Sequence, residues 1–129
     1  MAGKIVADQL EHSTAGSIAT NFVVEGSAKA FGNIASGTTL VESFNESAFT
    51  DNGTGDFTHN FTNSMANKNH VTTGNNMRNN DGGSGHTGAY GNSSDTSSTT
   101  SSARMLYFNV SNTLEDMRRT MALTHGELA

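Results

Sequence analysis

Large apolar side chains are too few, and too scattered, to enclose the interior of a domain this size. Leu, Ile, Val and Phe supply 22 of the 129 residues, below the roughly 20% at which a chain usually stops burying a core of its own. Asn, Ser, Thr and Gly supply 61, small residues that favour turns and hydrogen-bonded surfaces over apolar layers. A solvated, self-repelling coil would need stronger charge, whereas the net charge is −5 with 15% of residues charged. The combination predicts a β-rich subunit that completes its core against copies of itself.

Several classes of protein are excluded by the same inventory. The chain has no cysteine, which removes disulfides, thiolate metal sites and a cysteine nucleophile. No run approaches the roughly 20 apolar residues of a membrane span, and the start lacks a charged-then-apolar secretory pattern. Seven Lys and Arg are scattered along an acidic chain, so the basic patch of a nucleic-acid binder is missing. No nucleic-acid partner and no membrane insertion are expected. The absence of proline has no evident physical reason.

Along the chain, Lys4–Ala7 and Asn21–Val24 read as short β-like pieces, and Leu10–Ala15 as a possible helical turn. Residues 1–36 are expected to form an extended wrapping segment, and 37–129 an antiparallel β domain. Thr39–Phe44 is β-branched and aromatic and predicts a strand. Asn52-Gly53 then signals a hairpin, because both residues tolerate positive φ. In Phe57–Phe61 the residues Phe57, His59 and Phe61 share one face by period two. Met65–Lys68 is turn-like, and His70–Thr73 fits a returning strand.

Between Gly74 and Ser102 apolar content almost vanishes, and Asn79–Gly85 and Ser93–Ser102 are low-complexity polar tracts. So long a structureless loop is unusual inside a compact domain. It is therefore read as a loop or partner-facing arm, with Asn79, Asp81, His86, Tyr90 and Asp95 as its candidate contacts. Ala103–Val110 is the best strand: Leu106, Phe108 and Val110 point one way, Met105 and Tyr107 the other. For the last segment local rules conflict. Thr113–Asp116 resembles a capping box leading into a helix, yet Met117, Met121 and Leu123 also share a strand face.

No arrangement of residues announces chemistry. His59 and His70 lie on candidate partner strands and could meet, which is a faint hint of a metal site. No helical i, i+4 pair or second shell supports it, so neither metal nor cofactor is expected. Asp51–Asp56 resembles a calcium loop but lacks the twelfth-position glutamate. Gly82–Gly85 has no following lysine, and no serine sits in a Gly-x-Ser-x-Gly elbow. Asn-x-Ser/Thr triplets at Asn45, Asn52, Asn60, Asn92 and Asn109 are incidental without a secretory signal. No enzymatic activity is expected.

The stretch Ser43–Asn67, SFNESAFTDNGTGDFTHNFTNSMAN, resembles a module of bacteriophage tail-fibre-like virion proteins of the marine phage type. Gly3–Gly16 with Gly26–Phe31 is similar to that family's opening segment, and Thr124–Ala129 to its closing residues. The likeness spans about two thirds of the chain, and the 74–102 tract departs from it. The resemblance implies a non-enzymatic virion protein: an antiparallel β-sandwich or jelly-roll-like subunit, most often a homotrimer. It also turns the terminal conflict toward a strand over Met117–His125.

Two virion roles follow from this resemblance. One is a tail-fibre-like protein on the particle surface, working through multivalent symmetric contacts in host attachment or particle stabilisation. The other is a capsid decoration (cement) protein on the outer face of the major capsid shell. Family likeness favours the fibre. A length of 129 residues from Met1 to the family-like ending, with no room for a shaft, favours decoration. Phe22, Phe57, Phe61, Leu106, Phe108 and Met121 are the expected core and intersubunit contacts. Expected partners are further copies of the chain, major capsid or tail proteins, and a host surface glycan; the expected location is the virion, after synthesis in the host cytoplasm. A carbohydrate-binding module is the remaining reading. It has little aromatic platform to offer beyond Tyr90 and Tyr107, and a glycan array with Tyr90→Ala would decide it.

Overall fold

The computed structural model describes residues 3, 5–35, 39–77, 88–91, 98–109 and 111–129. The chain opens with a small hairpin of β1 (Gln9–His12) and β2 (Gly16–Ala19), followed by helix α1 (Thr20–Gly26). Two expectations are corrected here. Leu10–Ala15 is the hairpin and its turn rather than a helical turn, and Asn21–Val24 is helical rather than extended. Val23 and Val24 are poor helix formers, so the reason lies at the ends. Thr20 bonds back to the hairpin approach, through its N–H to the Asp8 carbonyl (2.9 Å) and its hydroxyl to the Ala7 carbonyl (2.7 Å). At the other end the buried Lys29 ammonium donates to the carbonyl of Val24, to that of Ser27 and to the Ser27 hydroxyl. Carbonyls left open at a helix C-terminus are thereby satisfied.

The rest is an all-β antiparallel sandwich. Its strands are β3 (Ala30–Ala35), β4 (Thr39–Phe44), β5 (Glu46–Gly53), β6 (Asp56–Phe61) and β7 (Val71–Met77), then β8 (Gly88–Gly91), β9 (Ser98–Thr99), β10 (Ser102–Phe108) and β11 (Arg119–His125). One sheet has the order β4-β3-β11-β7; the other has β5-β6-β10-β8, with β9 pairing one end of β10. The neighbours β3–β4 and β5–β6 stay together in their sheets, while β4–β5 and β7–β8 pass from one sheet to the other. Because β3 is an interior strand bonded to β4 and β11, the division expected at residue 36 falls before Ala30 instead. Of the described residues between 74 and 102, most belong to strands: the end of β7, β8, β9 and the first residue of β10.

The inner faces follow the period of two. Ala30 and Ile34 from β3 and Ala122 from β11 meet Phe57 and Phe61 from β6 and Ala103, Met105 and Tyr107 from β10. Met65 and Met117 fill the ends, unbranched side chains suited to irregular gaps. Among the described residues, Ile34, Phe57 and Phe61 are the only buried members of the Leu, Ile, Val and Phe set.

The crossing from β4 to β5 turns on Asn45, which adopts a positive φ of 53°. Asn tolerates that region better than most residues because its short amide bonds locally. Its Nδ2 donates to the Lys29 carbonyl (3.0 Å) and the Asn63 carbonyl (3.2 Å), and its Oδ1 accepts from the Asn63 N–H (2.7 Å). The β5–β6 hairpin forms as expected, although its two-residue turn is Thr54-Gly55 rather than Asn52-Gly53. Gly53 falls in a bulge, and the Asp51 carboxylate accepts its N–H at 2.8 Å. At the C-terminal end the strand reading holds. β11 is bonded on both sides, to β3 and to β7, and buries Thr120, Ala122 and Thr124. Two ladders outweigh the local helix signal. Thr113 belongs to a turn in which Asn109 Oδ1 accepts the N–H groups of Ser111 and Thr113.

Candidate functional site

A fully buried polar arrangement lies inside the sandwich. Glu46 opens β5, His59 sits midway along β6 on the face of Phe57 and Phe61, and Tyr107 lies on β10. His59 Nδ1 is 3.2 and 3.3 Å from the two Glu46 carboxylate oxygens, and its Nε2 is 2.9 Å from the Tyr107 hydroxyl. His59 and Tyr107 have no solvent exposure, and Glu46 has 5%. The Phe49 ring stands edge-on to the imidazole at a centroid distance of 4.5 Å.

The hydrogen bonds order the protons. Glu46, when ionised, can only accept, so His59 Nδ1 must donate to it. A neutral imidazole then accepts the phenol proton at Nε2. A protonated one donates there and sends the phenol proton toward the Met121 carbonyl, 3.4 Å away. Burial, with the nearby Glu46 charge adding to it, pushes the Tyr107 phenol well above the usual tyrosine range. The order carboxylate, imidazole, hydroxyl is that of a hydrolase relay, but here the hydroxyl is enclosed and cannot reach a substrate. What the arrangement can do is tie β5, β6 and β10 of one sheet together through side-chain hydrogen bonds, with the Tyr107 hydroxyl reaching the other sheet at the Met121 carbonyl of β11. Across the sandwich Gly32 makes room for it: a Cβ there would overlap the Glu46 carboxylate and lie 2.8 Å from the Phe49 ring.

The expected contact residues separate. Phe57 and Phe61 are core residues. Leu106 and Phe108, expected as core and intersubunit contacts, are half-buried on the opposite face of β10, whose buried face is Ala103, Met105 and Tyr107, so they lie outside the core of this chain. Tyr107 displaces them because its hydroxyl has a buried partner only on the inner side. Met121 is likewise half-buried on the outer face of β11. Phe22 is 64% exposed on α1 and belongs to no core of this chain. Asn79, Asp81, His86 and Asp95 lie outside the described residues, and of Tyr90 the structure describes the backbone, paired with Leu106. His59 and His70 do not meet: His70 precedes β7 of the other sheet, bonds the Thr99 carbonyl and packs edge-on against Phe61. Asp56 of the calcium-like stretch forms a two-pronged ion pair with Arg104. Among the described residues no three His, Asp or Glu side chains gather around a possible metal position.

The sequence signal for His59 was its place between two phenylalanines on one face, which buries it and obliges it to find partners. Nothing local marks Glu46 or Lys29. The outer face of the β4-β3-β11-β7 sheet was also not foreseen. There Phe31 and Phe44 stack at a centroid distance of 6.2 Å, and Leu123 lies beside Phe31 in register. Comparison of the chain with protein-family models, curated proteins and solved structures gives no match.

Proposed function

We propose that this chain is a non-enzymatic bacteriophage virion protein of tail-fibre-like type, a self-associating subunit on the particle surface that acts through many symmetric contacts. Likeness of Ser43–Asn67 and of both ends to that family supplies the class. The observation that carries self-association is the distribution of apolar side chains. Ile5, Val6, Phe22 and Val24 in the N-terminal segment, and Phe44, Val71 and Leu123 on a sheet face, all stand in solvent. Single exposed apolar residues are ordinary, but contiguous ones mark an interaction surface. Repetition by symmetry lets contacts that are weak one at a time hold an assembly, and the assembly then engages capsid, tail or host-surface glycan multivalently.

A second reading, capsid decoration, is favoured by the closed sandwich of the described residues, which contains no elongated shaft element. Labelling intact virions with gold-conjugated antibody separates the two: label on the tail alone supports the fibre, and label over the whole head supports decoration. Label on neither removes the virion assignment. Light scattering of the recombinant chain is expected to give about three times the monomer mass, the trimer that the family likeness implies; a monomer at all concentrations would refute self-association.

A further inference from the structure

We propose that Asn52 is a site of spontaneous covalent modification, at which the Gly53 backbone nitrogen attacks the Asn52 side-chain amide, the Asp51 carboxylate acts as base, and aspartate and isoaspartate result. Asn52 is the residue that the β5 bulge inserts between the pairs Asp51–Phe57 and Gly53–Asp56. Residues 51–53 are all exposed. The Gly53 nitrogen carries the attack, and three features of its surroundings favour it. Gly53 has a φ of 128°, and a Cβ built on it would meet no atom within 4 Å, so no side chain crowds the nitrogen and the space beside it is open. Asp51 Oδ1 stands 2.8 Å from that nitrogen and accepts its hydrogen bond, the distance from which a base takes a proton. The amide to be attacked belongs to the preceding residue, and its nitrogen is turned toward β6, where it donates to the Thr58 hydroxyl at 2.9 Å and to Asp56 Oδ1 at 3.4 Å. No second asparagine in the chain precedes a glycine. Asn33, Asn45, Asn60 and Asn76 precede Ile34, Glu46, Phe61 and Met77, whose side chains stand beside the nitrogen that would attack.

The step needs water and no other reactant. The Gly53 N–H proton passes to the Asp51 carboxylate as the nitrogen bonds to Asn52 Cγ. The Cγ–Nδ2 bond then breaks, and Nδ2 takes up that proton and leaves as ammonia. Water adds to one of the two carbonyls of the cyclic imide, and the bond from that carbonyl to the Gly53 nitrogen breaks. Opening at the side-chain carbonyl gives aspartate; opening at the main-chain carbonyl gives isoaspartate, in which the backbone runs through the former side chain. Either product replaces a donor by a carboxylate. Asn52 donates to Asp56, which is paired with Arg104. After the change two carboxylates face each other there and compete for one guanidinium, with Asp51 close by. The charge of the hairpin tip and the strength of its ion pair therefore change with the age of the chain.

The test incubates the folded full-length chain in mildly alkaline buffer and follows it by ion exchange, with peptide mass spectrometry locating each amide converted to acid. More acidic species are expected to accumulate, with Asn52 converting before every other asparagine and both isomers present. An intact Asn52 while other asparagines convert, or no acidic species at all, overturns the proposal. Asp51→Asn keeps an acceptor for the Gly53 N–H and removes the base. In the folded chain it is expected to slow conversion at Asn52 by about tenfold, below the usual effect of a positioned base because a carboxylate is a weak one. In urea, where the groups are no longer held together, parent and Asp51→Asn are expected to convert at equal rates. Equal rates in the folded chains, or the same slowing in urea, overturn the role of Asp51. Asn52→Gln keeps the amide donor on a longer side chain that closes a ring far more slowly. It is expected to yield no early acidic species, and an unchanged yield overturns the site.

Discussion

Glu46, His59 and Tyr107 form a chain in which each side chain is needed by the next. Removing one partner of a buried hydrogen bond leaves the other unsatisfied, which costs about 1–3 kcal/mol, and more where that group carries charge. His59→Leu is therefore expected to lose about that much in chemical denaturation, even though leucine fills much of the space. Tyr107 sets a limit in alkali. Its folded pKa is raised, so its contribution is complete below the ordinary tyrosine value of about 10. Above that value the unfolded chain releases the phenol proton and the folded chain keeps it. Stability then falls by about 1.4 kcal/mol per pH unit. Denaturation series between neutrality and pH 11.5 are expected to show this slope in the parent chain and not in Tyr107→Phe. Tyr107→Phe should also cost about 1–3 kcal/mol at neutral pH, since His59 Nε2 loses its partner in a closed interior.

At the scale of elements, the β4–β5 corner shows how one side chain fixes the relation of two sheets. Asn45 supplies a positive φ and bonds to Lys29 and Asn63 together. Asn45→Ala is expected to suffer both the backbone strain and the lost bonds, about 2–4 kcal/mol. Asn45→Gly keeps the backbone freedom and should recover about 1 kcal/mol of that loss, read as the difference between the two thermal midpoints. β10 and β11 carry a different lesson. In β10 both faces hold large apolar residues, so alternation by itself cannot say which is inner, and the partner available to the Tyr107 hydroxyl decides. In β11 the buried residues are Thr120, Ala122 and Thr124, small side chains whose pattern announces no core face. The strand there is a product of its two neighbours.

At the scale of the whole molecule, the interior is lean: methionine, alanine, one tyrosine and hydrogen-bonded polar groups do work that leucine and valine do in richer cores. The proposed self-association would make stability fall on dilution, because mass action favours the separated and then unfolded chain. The melting temperature is accordingly expected to rise by several degrees when the chain concentration is raised a hundredfold. A concentration-independent melting temperature would mean that the sandwich is stable without copies.

What the sequence determined by itself is what rests on local chemistry. Antiparallel β structure, the hairpin after Phe49 and the inward Phe57 and Phe61 are all written in residue type and period. The tertiary structure decided everything that depends on which elements meet. It turned Asn21–Val24 into a helix, through a lysine beyond its end. It made β3 an interior strand and placed Leu106, Phe108 and Met121 outward. It also brought Glu46, His59 and Tyr107 together from three strands. The physical reason is the same in each case: a side chain's environment comes from its neighbours across the sheet and across the sandwich, and those neighbours stand far away along the chain.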